Sequence, residues 1–301
     1  METKDSLIHA VAASGTLMAV AASTRETLQE AERRHDTWPT AAAALGRTLT
    51  GAVLLSALLK SEGQRVMVQV SGDGPLGLVV AEATAAAAGV LVRGYVQNPR
   101  TDPPRVRRGK LDVAAAVGQG TLWVVKDLGL REPYRGSVPL VSGEIAEDLA
   151  YYLVRSEQTP SLVALGVLVE PDGSVSAAGG VMVQAFPGAD DETLRRLEVR
   201  ARSMPPISSQ LEHGRGPEEI LHGLVGDLSP QVLDSRPVSF QCRCSRERLA
   251  GALRSLGKEM LTELEQEDGQ AEVVCRFCGE KYLFTREDLL GLIGEISGKP
   301  Q

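Results

Sequence analysis

All four cysteines of the chain lie in one short stretch, and this constrains its fold more than any other feature. They form Cys242-Arg243-Cys244 and, about thirty residues later, Cys275-Arg276-Phe277-Cys278. Two close pairs of thiols at this separation are typical of a tetrahedral four-cysteine zinc site, in which each pair forms one chelating turn. The sequence therefore predicts a compact C-terminal module that is folded around one Zn²⁺.

The first cysteine pair is unusual because a single residue separates Cys242 from Cys244, whereas zinc ribbons have two or more. In a two-residue spacer, backbone N–H groups hydrogen-bond to the sulfurs and withdraw electron density from them. Fewer such donors would leave the first two thiolates more open to oxidants. The spacing leaves three interpretations open: an inert structural zinc, a zinc that is lost on oxidation, and structural disulfides. Disulfides are disfavoured because no secretory context supports them.

Composition and charge narrow the class of protein. The 301 residues are 43% hydrophobic but only 4% aromatic, and the net charge is −7. This charge argues against the phosphate backbone of a nucleic acid as the main partner. No segment approaches the roughly 20 apolar residues of a membrane span, and the N-terminus lacks the basic and apolar regions of an export signal. We therefore expect a cytoplasmic protein, whose thiols are kept reduced and whose disulfides form conditionally.

Apolar and alternating segments predict an α+β fold of mainly antiparallel sheets with packed helices. Strands are expected at residues 15–24, 65–70, 76–81, 89–96, 120–125, 162–170 and 179–186. Helices are expected at residues 25–35 and 40–60, and from an N-cap at Ser142 to about residue 155. Strand, helix and hairpin recur at an offset of about 95–105 residues, which indicates an internal duplication. Runs of strands interrupted by single helices favour antiparallel sheets over a doubly wound parallel one.

Three regions are predicted along the chain. Residues 1–187 form the α+β core, residues 188–236 a metastable helical linker, and residues 237–301 the zinc module. The zinc module is expected to contain helices near residues 246–256 and 286–296, a short strand at 272–274 and a hairpin at 280–284. In the linker, helices at residues 190–204 and 218–225 can bury little area, so they need a neighbour to be stable. Leu194, Leu197 and Met204 form the thin apolar line of the first of these helices.

Other motifs and residue clusters give weaker indications of function. The chain has no dinucleotide fingerprint, P-loop or nucleophile elbow, and its four histidines are scattered, so we predict no enzyme active site. A basic loop at residues 100–110 is expected to be solvated, with contact to a nucleic acid or an acidic partner as the alternative; its basic residues are Arg100, Arg105, Arg107, Arg108 and Lys110.

Basic residues also surround the cysteines. They are expected to offset the thiolate charge and to steer oxidants inward, with plain solubility as the alternative. These residues are Arg243, Arg246, Arg248, Arg276 and Lys281. The zinc module as a whole has 9 Lys and Arg against 11 Asp and Glu, a net charge of −2, which weakens an assignment as a nucleic-acid-binding ribbon.

Several motifs resemble the redox-regulated 33-kilodalton heat-shock chaperones (33 kDa chaperonins), and the resemblance covers essentially the whole chain. The most specific are Phe-x-Cys-x-Cys-Ser-Arg-Glu-Arg at 240–248 and Cys-x-Phe-Cys-Gly-x-x-Tyr at 275–282. Three others support them: Ser-Gly-Glu-Ile-Ala-Glu-Asp-Leu-Ala-Tyr-Tyr at 142–152, Ser-Glu-Gln-Thr-Pro-Ser at 156–161 and Gly-Arg-Gly-Pro-Glu-Glu-Ile-Leu at 214–221.

The resemblance implies an ATP-independent holdase that binds unfolding proteins under oxidative stress. It implies that one Zn²⁺ is bound in the reduced, inactive state by Cys242, Cys244, Cys275 and Cys278. Under oxidants the same residues would pair as Cys242–Cys244 and Cys275–Cys278. Activation in such a family involves dimerisation, and cellular thiol reductants would restore the inactive state.

A physical argument supports this implied switch. A module of about 65 residues has too small a core of its own, so Zn²⁺ would supply much of its folding free energy, about 10–16 kcal/mol. Oxidation would then unfold the module and deprive the linker helices at residues 190–204 and 218–225 of the surface they lean on. Apolar area would become available to unfolded clients, with Leu194, Leu197 and Met204 as candidate contacts. The alternative is a zinc-ribbon protein that binds nucleic acid or the ribosome.

Overall fold

The computed structural model describes residues 4–102 and 111–297, and it divides into two compact units. One unit runs to Gln241 and the other begins at Cys242. The predicted linker region lies within the first unit, and the predicted division into three regions stays a prediction. Among the described residues, no helix is both long and apolar enough to cross a membrane.

The first unit is built on a ten-stranded sheet. Its strands are β1 Ser6–Ala12, β2 Leu17–Ser23, β3 Arg65–Gly72, β4 Leu78–Ala86, β5 Gly89–Val96, β6 Gly120–Asp127, β7 Tyr134–Pro139, β8 Ser161–Val169, β9 Val175–Ala185 and β10 Gln231–Phe240. Their order across the sheet is β7-β6-β3-β4-β5-β10-β1-β2-β9-β8. Every neighbouring pair is antiparallel except β5 and β10, which run parallel. The predicted α+β class with mainly antiparallel strands is therefore confirmed.

One face of this sheet is covered by helices from the first part of the chain. These helices are α1 Arg25–His35, α2 Pro39–Ser56, α3 Val113–Val117 and α4 Ala146–Arg155. In α2 only Pro39 and Arg47 are not buried. The helix tolerates such enclosure because small residues allow close approach: a Cβ at Gly46 would clash with a methyl group of Leu28. α2 ends four residues earlier than predicted, since the backbone tightens into turns at Ala57.

The linker helices cover the other face of the sheet, over β1, β2 and β9. They are α5 Asp191–Ser203, α6 Ile207–Glu212 and α7 Pro217–Val225. Every residue of β2 is buried, because its side chains alternate between the two covered faces. The side chains of Met18 and Val20 join the core under α2, whereas Leu17 and Ala19 pack with the linker helices. The neighbour that the linker helices need is therefore the sheet of their own unit.

Helix α4 corrects the prediction that Ser142 is an N-cap. The N-cap is Ile145, and the buried carboxylate of Asp148 accepts hydrogen bonds from the backbone N–H groups of Val141, Ser142 and Ile145. The hydroxyl of Ser142 instead accepts from the N–H of Glu144. A carboxylate has two oxygens and can bind several donors at once, so Asp148 organises this turn in place of a single hydroxyl.

The predicted internal duplication stays a prediction. The order of strand, helix and hairpin does recur as β2, α2, β3, β4 and as β6, α4, β8, β9. The two hairpins are attached differently, however, because β6 pairs with the first strand of one hairpin and β2 with the second strand of the other.

The second unit is a small module with its own core. Its strands β11 Gln270–Val274 and β12 Lys281–Thr285 form an antiparallel pair, and its helices are α8 Arg246–Arg254, α9 Lys258–Glu267 and α10 Arg286–Ser297. The segment predicted as a hairpin at residues 280–284 is one strand of this pair. Over residues 242–297, partly buried apolar side chains surround a small set of buried core residues: Leu253, Leu261, Ala271, Phe284, Leu289 and Leu292.

Candidate metal centre

The second unit brings the four cysteine sulfurs together. The Sγ atoms of Cys242 and Cys275 lie 3.7 Å apart, and those of Cys244 and Cys278 lie 3.4 Å apart. All four sulfurs lie within 4.8 Å of one another, and none is cross-linked. Four sulfurs at about 2.3 Å from a central ion form a tetrahedron with edges of about 3.8 Å. The cysteines are therefore positioned to bind one metal ion, and an all-sulfur tetrahedral set fits Zn²⁺.

The loop between β11 and β12 forms the second chelating turn. The N–H of Cys275 donates to the carbonyl of Glu280 at 2.9 Å, which closes the strand pair at its end. The N–H of Gly279 donates to the carbonyl of Cys275 at 2.8 Å. Gly279 has a φ of +70°, in the left-handed region that favours glycine, so the turn can bring Cys278 back towards Cys275.

The first chelating turn leads directly into α8. Ser245 is the N-cap of that helix, and its hydroxyl accepts from the N–H of Arg248 at 3.3 Å. The side chain of Arg248 donates to the carbonyl of Arg243 at 2.9 Å, which ties the helix to the residue between the two cysteines.

Burial disfavours ionisation of the second cysteine pair. It raises the pKa of the Cys275 and Cys278 thiols, although the N–H groups of Phe277 and Glu280 donate to these sulfurs and partly offset that rise. These donors are the kind that a two-residue spacer was expected to provide. Buried thiols become thiolates when a cation shares the site. The centre is therefore suited to hold its thiolates as metal ligands.

Tyr282 is a neighbour of the centre that sequence reasoning did not select. Its hydroxyl lies 3.3 Å from the Sγ of Cys244, and this hydrogen bond raises the pKa of Tyr282 to about 12. The tyrosine was part of the motif at 275–282, but its position seven residues after Cys275 gave no sign that it faces the other chelating turn. A phenol donor at Cys244 lowers the electron density of that sulfur.

Besides Arg248, two more of the basic residues expected to steer oxidants make contacts within the module. The guanidinium of Arg246 donates to the carbonyl of Leu283 and to Asp288, and it stacks 4.5 Å from the centre of the Phe284 ring. The ammonium group of Lys281 lies 3.0 Å from the carboxylate of Glu272 on the neighbouring strand. Oxidant steering by the basic residues stays a prediction.

The predicted client-contact residues meet on the first unit. Leu197 is buried, and Leu194 and Met204 are half-buried, and all three pack in the cluster between the linker helices and the sheet. In the basic loop, the guanidinium of Arg100 binds Asp36, whereas Arg105, Arg107, Arg108 and Lys110 lie outside the described residues.

Comparison with known proteins identifies the family. A family model described as "Hsp33 protein" matches residues 5–285. The chain belongs to the Hsp33 family.

Individual Hsp33 relatives agree with this assignment. The 33 kDa chaperonin of Bacillus licheniformis is 51% identical over 293 residues, which cover 97% of this chain and 100% of that protein. The 33 kDa chaperonin of Bacillus subtilis is 50% identical and covers 96% of this chain and 98% of its own length. The crystal structure of the heat shock protein 33 homologue from Thermotoga maritima is 37% identical, has a TM-score of 0.91, and covers 99% of this chain and 100% of its own. The Hsp33 fold and the membership of a chaperone family are thus established.

Proposed function

We propose that this chain is a redox-regulated, ATP-independent holdase that is inactive when its four cysteines hold Zn²⁺ and active when they are oxidised. The observation that carries the proposal is the set of four unbridged thiols gathered within 4.8 Å of one another in a module whose described core has six buried apolar residues. Bound Zn²⁺ would supply about 10–16 kcal/mol of folding free energy to such a module. Cys242, Cys244, Cys275 and Cys278 would be its ligands.

The oxidation step forms one disulfide in each chelating turn. A thiolate of one pair attacks a peroxide oxygen and becomes a sulfenic acid, and the second thiolate of that pair displaces hydroxide from it. Two electrons leave the two sulfurs for each disulfide, and the peroxide is reduced to water. The expected products are Cys242–Cys244 and Cys275–Cys278. Each disulfide removes two ligands, so the metal ion is no longer held and the module loses its main source of stability.

The first unit supplies the surface that becomes available. Linker helices α5 to α7 cover an apolar sheet face that includes Leu17, Ala19 and Val181. The chain connects the linker to the metal centre through β10, which ends two residues before Cys242 and lies between β1 and β5. When the module that follows β10 unfolds, the C-terminal end of β10 is no longer held, and the linker helices then detach from the sheet. Leu194, Leu197 and Met204, together with the uncovered sheet face, would contact unfolded client proteins.

Partners and location follow from the same proposal. Clients are unfolding or aggregation-prone proteins, the activated form is a homodimer, and cellular thiol reductants restore the closed state. The protein acts in the cytoplasm and is not an enzyme. No described contact specifically favours the alternative of a ribosome-associated zinc ribbon.

An oxidant titration tests the proposal. Zinc content, free thiols and suppression of client aggregation are measured at each dose of peroxide at elevated temperature. We expect two disulfides, loss of one Zn²⁺ per chain and the appearance of activity to follow the same dose curve. A Cys242→Ser variant should be partly active while reduced. An oxidised protein that has lost its metal and still fails to suppress aggregation contradicts the proposal.

A further inference from the structure

In the part of the chain that the structure describes, strand β8 is the last strand of the sheet, and no strand pairs with its outer edge. The N–H of Ala185 donates to the carbonyl of Pro160. This bond and the register of the strand pair fix which main-chain groups of β8 point towards β9. In an antiparallel pair these groups alternate in direction along the strand. The N–H and C=O groups of Val163, Leu165 and Val167 therefore point away from β9. Over residues 4–102 and 111–297, no strand lies beyond β8 and no main-chain hydrogen bond reaches this side of it.

A groove of about 690 Å³ runs along this edge. Its lining includes every residue from 163 to 169. Consecutive residues of a strand point to opposite faces of the sheet, so a groove that touches all of them follows the edge and not one face. One wall comes from α2 and α4 and includes Arg47 and Glu147. The other wall is the connection between α5 and α6, residues 204–208, together with Ala201.

The linker segment at residues 204–208 has an extended backbone, but it cannot form a strand pair with β8. Met204 has φ −69° and ψ 130°, and Pro206 has φ −50° and ψ 137°. Pro205 and Pro206 have no N–H group to donate. Their carbonyls already accept bonds from Gln210, at 2.8 Å from its side chain and 3.1 Å from its backbone. While the linker is packed on the sheet, this segment therefore covers the edge of β8 but does not hydrogen-bond to its outward N–H and C=O groups. Covering by a loop is a common protection for an exposed strand edge.

The groove fits one kind of occupant. Among residues 4–102 and 111–297, the charged side chains that line the groove are Arg47 and Glu147, which have opposite signs, so this part of the lining is complementary to an uncharged apolar segment. The edge needs a partner with free N–H and C=O groups in an extended conformation, which an unfolded protein supplies. The groove is also continuous with the linker surface, because Ala201, Met204 and Ile207 both line it and pack in the linker cluster.

We propose that, once the linker detaches, the outer edge of β8 binds an extended, uncharged apolar segment of a client protein as an additional β-strand. This inference rests on the proposed holdase function and specifies how the client is held. Main-chain hydrogen bonds at Val163, Leu165 and Val167 would give affinity without regard to client sequence, and the apolar walls would select apolar segments. About five client residues would be paired.

Residue-resolved amide exchange of the oxidised protein tests this inference. The probe is reduced, carboxymethylated α-lactalbumin, which stays unfolded and has no thiol to reduce the chaperone. On binding, exchange at the N–H groups of Val163, Leu165 and Val167 should slow by about tenfold. Exchange at Leu162 and Ala164 should change little, since these groups already bond to β9. This alternation is the expected result.

A pair of variants provides a second readout. Leu165→Pro removes a single outward N–H from an edge strand, where proline is tolerated. Leu165→Ala loses a similar amount of packing and keeps the N–H. We expect the proline variant to bind the unfolded probe several-fold more weakly than the alanine variant, while both release zinc on oxidation.

Three results would overturn the inference. If the probe binds and the three outward amides exchange at unchanged rates, the client is held elsewhere and the holdase function stands. If these amides become protected without the probe as protein concentration rises, the edge pairs with a second copy of the chain. If the oxidised protein does not bind the probe at all, the proposed function fails together with this inference.

Discussion

Replacing Leu224 by alanine should activate the chaperone without any oxidant. Leu224 lies on α7, is fully buried, and packs in the cluster between the linker helices and the sheet. The substitution removes three carbon atoms and leaves a cavity, which costs about 2–5 kcal/mol at a buried leucine. Because α7 contacts β1, β2 and β9, this cost falls on the contact between linker and sheet.

The size of the effect follows from that cost. A loss of about 3 kcal/mol shifts an equilibrium by about a hundredfold. If the linker helices detach as a unit, the population of the open form in the reduced protein rises by that factor. Leu224 is not part of the candidate metal centre, so the variant should keep its full zinc content and its four free thiols.

The assay is light scattering from a heat-unfolding client, measured in the presence of a thiol reductant. Leu49→Ala is the matched control, since Leu49 is also fully buried but packs in the core under α2. Both variants should unfold at lower urea concentration than the parent, but only Leu224→Ala should suppress aggregation while reduced. A Leu224→Ala protein that is destabilised and inactive, or a control that is equally active, would refute the reasoning.

Three further predictions concern the metal centre and a buried acid. A strong chelator at neutral pH should melt α8, α9 and α10, seen as a loss of far-UV circular dichroism that Zn²⁺ restores; retention of this signal would contradict the role of the metal in folding. Tyr282→Phe removes the hydroxyl at the sulfur of Cys244, so zinc release by peroxide should become several-fold faster, and an unchanged rate would count against that contact. Burial raises the pKa of Asp5 above its usual 3.8, so its protonated form stabilises the fold and that contribution is lost as pH rises through the raised pKa. Asp5→Asn should therefore gain stability relative to the parent between pH 4 and pH 7, and a pH-independent difference in urea midpoint would disprove this.

Elements with a strong local signal were predictable from the sequence. Helix α1 and strand β5 begin and end at the predicted residues, 25–35 and 89–96. The ends of α1 are marked locally by an acid in its first turn and bases in its last turn, and the start of β5 is marked by a glycine before an apolar run. The gathering of the four cysteines into a candidate metal centre was predictable for the same reason, since their spacing within one chain segment limits how they can meet.

Strands that depend on distant partners were missed. β10 contains Asp234, Arg236 and Pro237 and shows little alternation, yet it lies between β1 and β5 in the middle of the sheet. β1 and β7 were also absent from the prediction. Pairing between residues far apart in sequence supplies the hydrogen bonds and burial that such segments lack locally, and this information is not present in any short window.

The sequence alone determined the α+β class, the four cysteines that are candidate metal ligands and the resemblance to a chaperone family, because these depend on composition, spacing and local pattern. Only the tertiary structure decided that the linker helices pack on the sheet, that Asp148 and not Ser142 organises the start of α4, and that β8 is left at the edge. These outcomes depend on which surfaces meet, and an apolar residue in a core has the same side chain as one on a latent binding surface.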